Sequence, residues 1–187
     1  MTLAALVAPK EEYNHWMGAF VGSIENRSDD SERRGPTAQS KVRLHISGSI
    51  SVDPSFYTLI DQAGGLVVSD DLCTGSRYFW DRVETDEDPL VAIKNRYLSR
   101  ISCPSKYPAE DRREYLFSRI KESGSQGVIF LLEKFCDPHL FDYPGIREDL
   151  EKEGIRSLWL ETELFVSGEE QVKTRLEAFI EMIKGNA

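Results

Sequence analysis

The sequence predicts an α/β fold: an open, mainly parallel four-stranded sheet with helices on both faces. Two observations carry this. Short apolar runs alternate with stretches of helical periodicity along most of the chain, the pattern of a parallel sheet with crossover helices. The strongest of those runs, Gly127-Val128-Ile129-Phe130-Leu131-Leu132, is apolar throughout, as a strand covered on both faces must be.

Each element has its own signal. Residues 3–25 place Leu3, Leu6, Val7, Trp16, Met17, Phe20 and Ile24 at three- and four-residue steps, a helix interrupted at Pro9. Positions 26–40 are polar and read as a loop or linker. The expected division is therefore an N-terminal helix and linker over 1–40 and an α/β domain over 41–187. Val42 to Ser47 alternates apolar with polar and begins the first strand. Gly48 to Ser51 reads as a tight turn. Asp53 then caps a helix with Pro54 at its first position, and Gly64-Gly65 stops it. Leu66 to Val68 is the second strand. Leu72 to Trp80 is a loop passing into a turn or short helix. Helices are expected over 90–101 and 108–123, the latter with Tyr115, Leu116 and Ile120 toward the core. The third strand is Val128 to Leu132. The segment Lys134 to Pro144, punctuated by Pro138 and Pro144, reads as a loop before a helix over about 145–153. Ser157 to Leu160 and Glu169 to Ile183 close the chain as strand and helix. That succession is flavodoxin/Rossmann-like, with right-handed crossovers.

Composition narrows the function classes. The chain has 187 residues, 40% hydrophobic and 29% charged, enough for one sizeable core. A net charge of −9 argues against nucleic acid as a partner. No window approaches the ~18 apolar residues of a membrane span, and the N-terminus lacks the basic start of a signal peptide. The expectation is a cytoplasmic protein without a membrane partner. The three cysteines are Cys73, Cys103 and Cys136. An odd count argues against a disulfide framework, and the lack of Cys-x-x-Cys excludes a self-contained zinc knuckle or ferredoxin-type motif.

Open parallel sheets build their sites beyond the carboxyl ends of their strands. Here those ends are Gly48-Ser49, Asp70-Asp71-Leu72-Cys73, Lys134-Phe135-Cys136-Asp137 and Glu161-Thr162-Glu163. Cys73 and Cys136 both follow strands, and Cys103, ahead of Pro104, can approach the same edge. Three thiolates there can ligate iron or zinc; the plainer alternative is that they are small apolar fillers. Asp70-Asp71 can bind a metal or act as bases, or can cap a turn through backbone N–H groups. Arg77 can hold an anion, or pair with Asp70, Asp71 or Asp81. His139 can shuttle a proton near the cysteine, or rest as a satisfied loop histidine. His15 and His45 carry no signal. Gln171 and Arg175 lie one turn apart on the last helix and can face a ligand or a neighbouring domain. Nothing forms a Ser-His-Asp triad, a phosphate loop or a dinucleotide fingerprint.

Beyond spacing, whole segments are informative. The stretch from Gly64 to Phe79 (GGLVVSDDLCTGSRYF), Cys103-Pro104, the segment Lys134 to Pro144 (KFCDPHLFDYP) and the stretch from Gln171 to Glu181 together resemble the 2-hydroxyacyl-CoA dehydratase / benzoyl-CoA reductase family. The likeness is to the D-component of 2-hydroxyglutaryl-CoA dehydratase and runs from near Leu3 to Ile183 in the family's order. It implies an oxygen-sensitive enzyme of anaerobic metabolism in which two related subunits each hold an iron–sulfur cluster, usually 4Fe-4S. A separate ATP-hydrolysing activator delivers one electron, and the acyl-CoA thioester loses its 2-hydroxyl group through a ketyl radical anion. In the reductases, related chemistry reduces an aromatic ring.

The resemblance also implies that complete subunits are about twice as long and that their N-terminal α/β domain supplies two cluster cysteines. Cys136 then matches the remaining ligand. Cys73 and Cys103 match family positions as weaker candidates, and Asp71, Arg77, His139, Gln171 and Arg175 stand as possible neighbours of the cluster. The chain is thus expected to correspond to a C-terminal half, whether fragment, split-gene half or degenerate member. It would be inactive alone and hold a cluster only with a partner N-terminal domain or a second related subunit. The alternatives are a non-catalytic interaction module of the same fold, part of a ring reductase, or a self-contained metal site built from all three cysteines.

Overall fold

The structure is a computed structural model that describes residues 7–28, 40–51, 53–101, 103–107, 109–163 and 168–185. The chain divides into two units, Met1–Ser40 and Lys41–Ala187. In the first, helix α1 spans Lys10–Ser28. Glu11 and Glu12 in its first turn suit the positive end of the helix dipole. Pro9 stands at its threshold and accepts from Tyr13 N at 3.0 Å. The helix expected over 3–25 is thus present from Lys10, and runs three residues further; positions 1–6, and 29–39 of the expected linker, lie outside the described residues.

The second unit runs β1 (Val42–Gly48), α2 (Ser55–Gln62), β2 (Gly65–Asp70), the one-turn α3 (Ser76–Phe79), α4 (Pro89–Ser99), α5 (Glu110–Ser123), β3 (Gly127–Glu133), α6 (Asp137–Lys152), β4 (Arg156–Thr162) and α7 (Glu169–Lys184). The four strands form one sheet in the order β2-β1-β3-β4, every pair parallel. The α/β expectation holds. The chain winds from β1 out to β2, then returns past β1 to β3 and β4, so the reversal of winding falls between β1 and β3. Ligand crevices in such sheets open there.

Helices cover both faces. On one, Phe56, Leu59 and Ile60 of α2 and Val172, Leu176, Phe179 and Ile180 of α7 pack on Leu44, Ile46, Ile129, Leu131 and Leu160. On the other, Leu116 and Ile120 of α5 and Tyr143 and Leu150 of α6 pack on Val128, Phe130 and Leu132. Each large side chain so buried contributes about 1.5–3 kcal/mol. The second face is apolar under β3 but polar under β1. Strand alternation sends Leu44 and Ile46 into the first core and His45 and Ser47 to the opposite side, where both are still buried. That polar stripe positions the site.

Several local expectations change. The largest concerns Lys134 to Pro144: α6 begins at Asp137 and carries Pro144 inside it. Pro138 sits in the first turn, where its missing N–H has no partner to lose. Pro144 removes one helical hydrogen bond, but packing carries the helix through it. The Tyr143 ring meets Phe130 at 5.0 Å and Trp159 at 4.4 Å between centroids, both edge-on. Asp53 does cap α2, accepting from Ser55 N at 2.9 Å. Gly65 is the first residue of β2 rather than a helix stop, and Tyr115 is only half-buried. The helix expected from 108 starts at Glu110, and the one expected to reach 101 ends at Ser99. There Asp88 caps the N-terminus, accepting from Leu90 N and Val91 N at 3.0 and 3.2 Å.

Candidate functional site

The site begins with an irregularity in pairing. Leu44 lies opposite Val67, but His45 lies opposite Ser69, so the β1–β2 register slips by one residue. The slip brings His45 Nδ1 to 2.7 Å from Ser69 Oγ. His45 is fully buried, and its other ring nitrogen faces Asp71 Oδ1 at 3.7 Å.

The two adjacent acids at the end of β2 have separate roles. Asp70 is a turn cap: its Oδ1 accepts from Leu72 N at 3.1 Å and Ser76 N at 2.8 Å, while its carbonyl accepts from Ser76 Oγ. The turn closes tightly enough that a Cβ on Gly75 would lie 1.9 Å from that carboxylate oxygen. Asp71 points inward. Its Oδ2 meets Arg77 Nη2 at 3.4 Å, both side chains being over nine-tenths buried. Burial pushes the Asp71 carboxyl up, but His45 and the Arg77 guanidinium outweigh it and hold the group below the usual range. Arg77 also donates from Nη2 to Gly48 O at 3.5 Å and from Nη1 to Cys73 Sγ at 3.6 Å. Gly48 ends β1 at φ +149°, and a Cβ there would lie 2.0 Å from Leu131 O. Only glycine lets β1 and β3 run this close at the crevice while leaving its own carbonyl free to accept.

Cys73 sits at the centre. Its Sγ lies 3.8 Å from Gly48 O and 3.9 Å from Nε2 of His139, a buried residue in the first turn of α6. Burial raises the Cys73 thiol, against the pull of Arg77, and burial next to Arg77 lowers His139 to about 4. The imidazole is therefore neutral at neutral pH. Beside this group lies a cavity of about 20 Å³, lined by Ser47, Asp71, Arg77, Arg112, His139 and Asp142 among others. It is about the size of one water. Arg112 closes it with a two-pronged pair to Asp142 Oδ2, at 2.9 Å from Nε and 2.7 Å from Nη2.

The other two thiols border the same place. Cys136 is half-buried, immediately before α6, and Cys103 is exposed, next to Pro104 at the cavity wall. Charge on either bears on Cys73, and Arg77 bears on Cys103. The three cysteines thus gather at one carboxyl edge as free thiols. Burial would raise the Cys103 thiol, but hydrogen bonds from Ser105 and the charges of Arg77 and Arg112 bring it below its usual value. Among the described residues no group of three or more His, Cys, Asp or Glu side chains is set to hold a metal ion. The donor set offers separate thiol anchors at an edge, which suits part of a thiolate-held group and not a closed site.

Of the residues singled out from sequence, Cys73, Asp71, Arg77 and His139 are in contact, with Cys103 and Cys136 at the margin. Gln171 and Arg175 are not among them. Gln171 is exposed, and Arg175 donates to Trp159 O at 2.6 Å on the outer strand. Sequence reasoning missed His45, Ser47 and Arg112. The signal for the first two was available: a central parallel strand is covered on both faces, so polar residues alternating within it need buried partners. No helix among the described residues is long and apolar enough to cross a membrane.

Comparison with known proteins gives one family. The family model described as 2-hydroxyglutaryl-CoA dehydratase, D-component, matches residues 1–183. Curated relatives include the (R)-phenyllactyl-CoA dehydratase beta subunit of Clostridium sporogenes, 28% identical over 161 residues, which cover 86% of this chain and 43% of that one. The beta subunit of lactoyl-CoA dehydratase from Anaerotignum propionicum is 31% identical over 119 residues, 63% of this chain and 32% of the relative. A benzoyl-CoA reductase subunit from Thauera aromatica is 29% identical over 153 residues, 75% and 38% of the two chains. The chain spans less than half the length of the curated relatives it matches.

Proposed function

The chain belongs to the 2-hydroxyglutaryl-CoA dehydratase D-component family, and from that premise we propose that it serves as the C-terminal half of a dehydratase-type subunit. Its assembly removes water from a 2-hydroxyacyl-CoA. In this reading Cys136 is one thiolate anchor of a 4Fe-4S cluster, and an N-terminal dehydratase domain or second related subunit supplies the other anchors. An ATP-dependent activator supplies the electron, and the site of action is the cytoplasm, where thiols stay reduced. The observation that carries the reading is the gathering of three free thiols at the carboxyl edge, beside the reversal of strand winding.

Bound there, such a cluster supplies one-electron chemistry and an iron able to act as Lewis acid toward a substrate oxygen. The chain's own residues have simpler tasks. Cys136 presents a thiolate at the head of α6. The Asp71–Arg77 and Arg112–Asp142 pairs form a charge-balanced wall behind it. His139, neutral, adds no charge to that wall. A partner surface is also suggested. Leu90, Ile93, Tyr97 and Leu98 leave one flank of α4 exposed, Leu90 and Leu98 by more than three-quarters. Contiguous apolar exposure of this kind marks interaction sites.

The test is anaerobic reconstitution with iron and sulfide, of the full chain alone and with the N-terminal domain of a dehydratase-type beta subunit. Stoichiometric iron and cluster absorbance should arise only with both, and should vanish in Cys136→Ser. A chain that gains no cluster with any such domain contradicts the reading. The likeness to a benzoyl-CoA reductase subunit favours a second reading, reduction of an aromatic acyl-CoA ring. Assay of the reconstituted assembly with 2-hydroxyacyl-CoA and aromatic acyl-CoA thioesters separates the two. A purely scaffolding module would keep partner binding and function in Cys136→Ser.

A further inference from the structure

We propose that Cys73 is a positioning residue and not an iron ligand: its S–H group clasps the end of β1 to the first turn of α6, and so fixes where the Cys136 thiol is presented. The inference rests on the reading of Cys136 given above, but its geometry is independent of any metal.

Cys73 Sγ has polar partners from three elements: Gly48 O at the end of β1, 3.8 Å away, Arg77 Nη1 at 3.6 Å, and His139 Nε2 at 3.9 Å. A carbonyl oxygen only accepts, so the hydrogen on that contact belongs to sulfur. A metal-bound thiolate has no such hydrogen and would set a negative sulfur against the carbonyl dipole. Arg77 does not offset this, because its charge is already matched by Asp71 at 3.4 Å. A thiolate would be a second negative group in the same buried cluster, which is costly.

The main chain holds the sulfur in place. Cys73 N donates to Ser49 O at 2.7 Å, and Ser49 Oγ accepts from Glu133 N at 2.8 Å. The ends of β1 and β3 and the loop after β2 are thereby stitched around one atom. Drawing Sγ outward to join a cluster would break these ties. Cys103 and Cys136 differ, standing exposed and half-buried at the rim.

The link to Cys136 runs through His139. His139 N and Leu140 N donate to Cys136 O at 3.1 and 3.2 Å, closing the turn that carries the thiol. Holding the His139 ring from below fixes that turn. Sulfur hydrogen bonds are individually weak, but this one joins two elements, and its loss leaves buried polar groups unmatched.

The test has two arms on the full chain. In hydrogen exchange of the iron-free protein, the amides of His139 and Leu140 should exchange severalfold faster in Cys73→Ala. Cys73→Ser should restore them, because its hydroxyl can donate to the same carbonyl. If Cys73→Ala does not fold, Cys73→Val keeps the volume without the donor. In anaerobic reconstitution with the N-terminal domain, Cys73→Ser should keep the iron that Cys136→Ser loses. Loss of iron in Cys73→Ser as complete as in Cys136→Ser would overturn the proposal, as would exchange at His139 and Leu140 that ignores Cys73→Ala. If the unaltered chain takes up no iron, the reading of Cys136 fails, and the exchange arm alone upholds or overturns the clasp.

Discussion

Asp71 and Arg77 face each other at 3.4 Å with both side chains over nine-tenths buried, across the loop that leaves β2. A buried pair contributes little net stability when intact, but removing one member strands the other charge. Asp71→Ala should therefore destabilise the protein by about 3–5 kcal/mol, read as a lower denaturant midpoint. Replacing both, with Asp71→Leu and Arg77→Met together, should cost less than Asp71→Ala alone. Additive losses would show that the pair is not acting as a unit.

Acid should weaken the fold through His139. The folded ring titrates near about 4, below the ordinary 6.5 of an unfolded histidine. Between those values the unfolded chain binds the extra proton, so stability falls as pH drops from 6.5 toward 4. The full effect is of order 3 kcal/mol. Asp71, held below the ordinary carboxylate value, adds a loss of the same sign at still lower pH. Denaturant titrations from pH 7 to 4 should show this slope, and His139→Gln should flatten it. An unchanged slope in that variant would place the acid sensitivity elsewhere.

Two glycines separate strain from clash. Gly154 has φ +71° and open space around its missing side chain, whereas Gly48 has φ +149° and Leu131 O at 2.0 Å. Gly154→Ala should cost only the conformational penalty, about 1–3 kcal/mol. Gly48→Ala should cost more, because β1 and β3 must part where they define the crevice. Thermal midpoints of the two variants give the comparison.

The exposed flank of α4 should matter to assembly and not to folding. Leu98 is 77% exposed, so Leu98→Glu should leave the melting temperature within a degree or two, given the small effect of surface changes. It should abolish co-elution with an N-terminal dehydratase domain. Unchanged co-elution would move the partner surface off α4.

Much of this was legible in the chain. The apolar run at Gly127 to Leu132 and the alternation of strand and helix sufficed for the sheet, because parallel strands covered on both faces leave a plain trace. Placing Cys73 and Cys136 beyond strand ends put both at the same edge. The Lys134 to Pro144 segment misled because proline is a strong local signal, while the aromatic wedge of Phe130, Tyr143 and Trp159 that carries α6 past Pro144 is tertiary. His45 was passed over because its value depends on a one-residue slip in the β1–β2 register, which no local pattern announces. Arg112 was missed for a similar reason: its partner Asp142 lies on the next helix, beyond an intervening strand. Gln171 and Arg175 looked like a ligand-facing pair, but Arg175 is occupied at the outer strand.

The central claim, that Cys136 anchors an iron–sulfur cluster, is met most directly by iron Mössbauer spectroscopy of the full chain joined anaerobically to an N-terminal dehydratase domain. The expected spectrum is that of a cubane cluster in the unaltered assembly, replaced in Cys136→Ser by loosely held iron or none. Identical spectra from the two assemblies would contradict the claim.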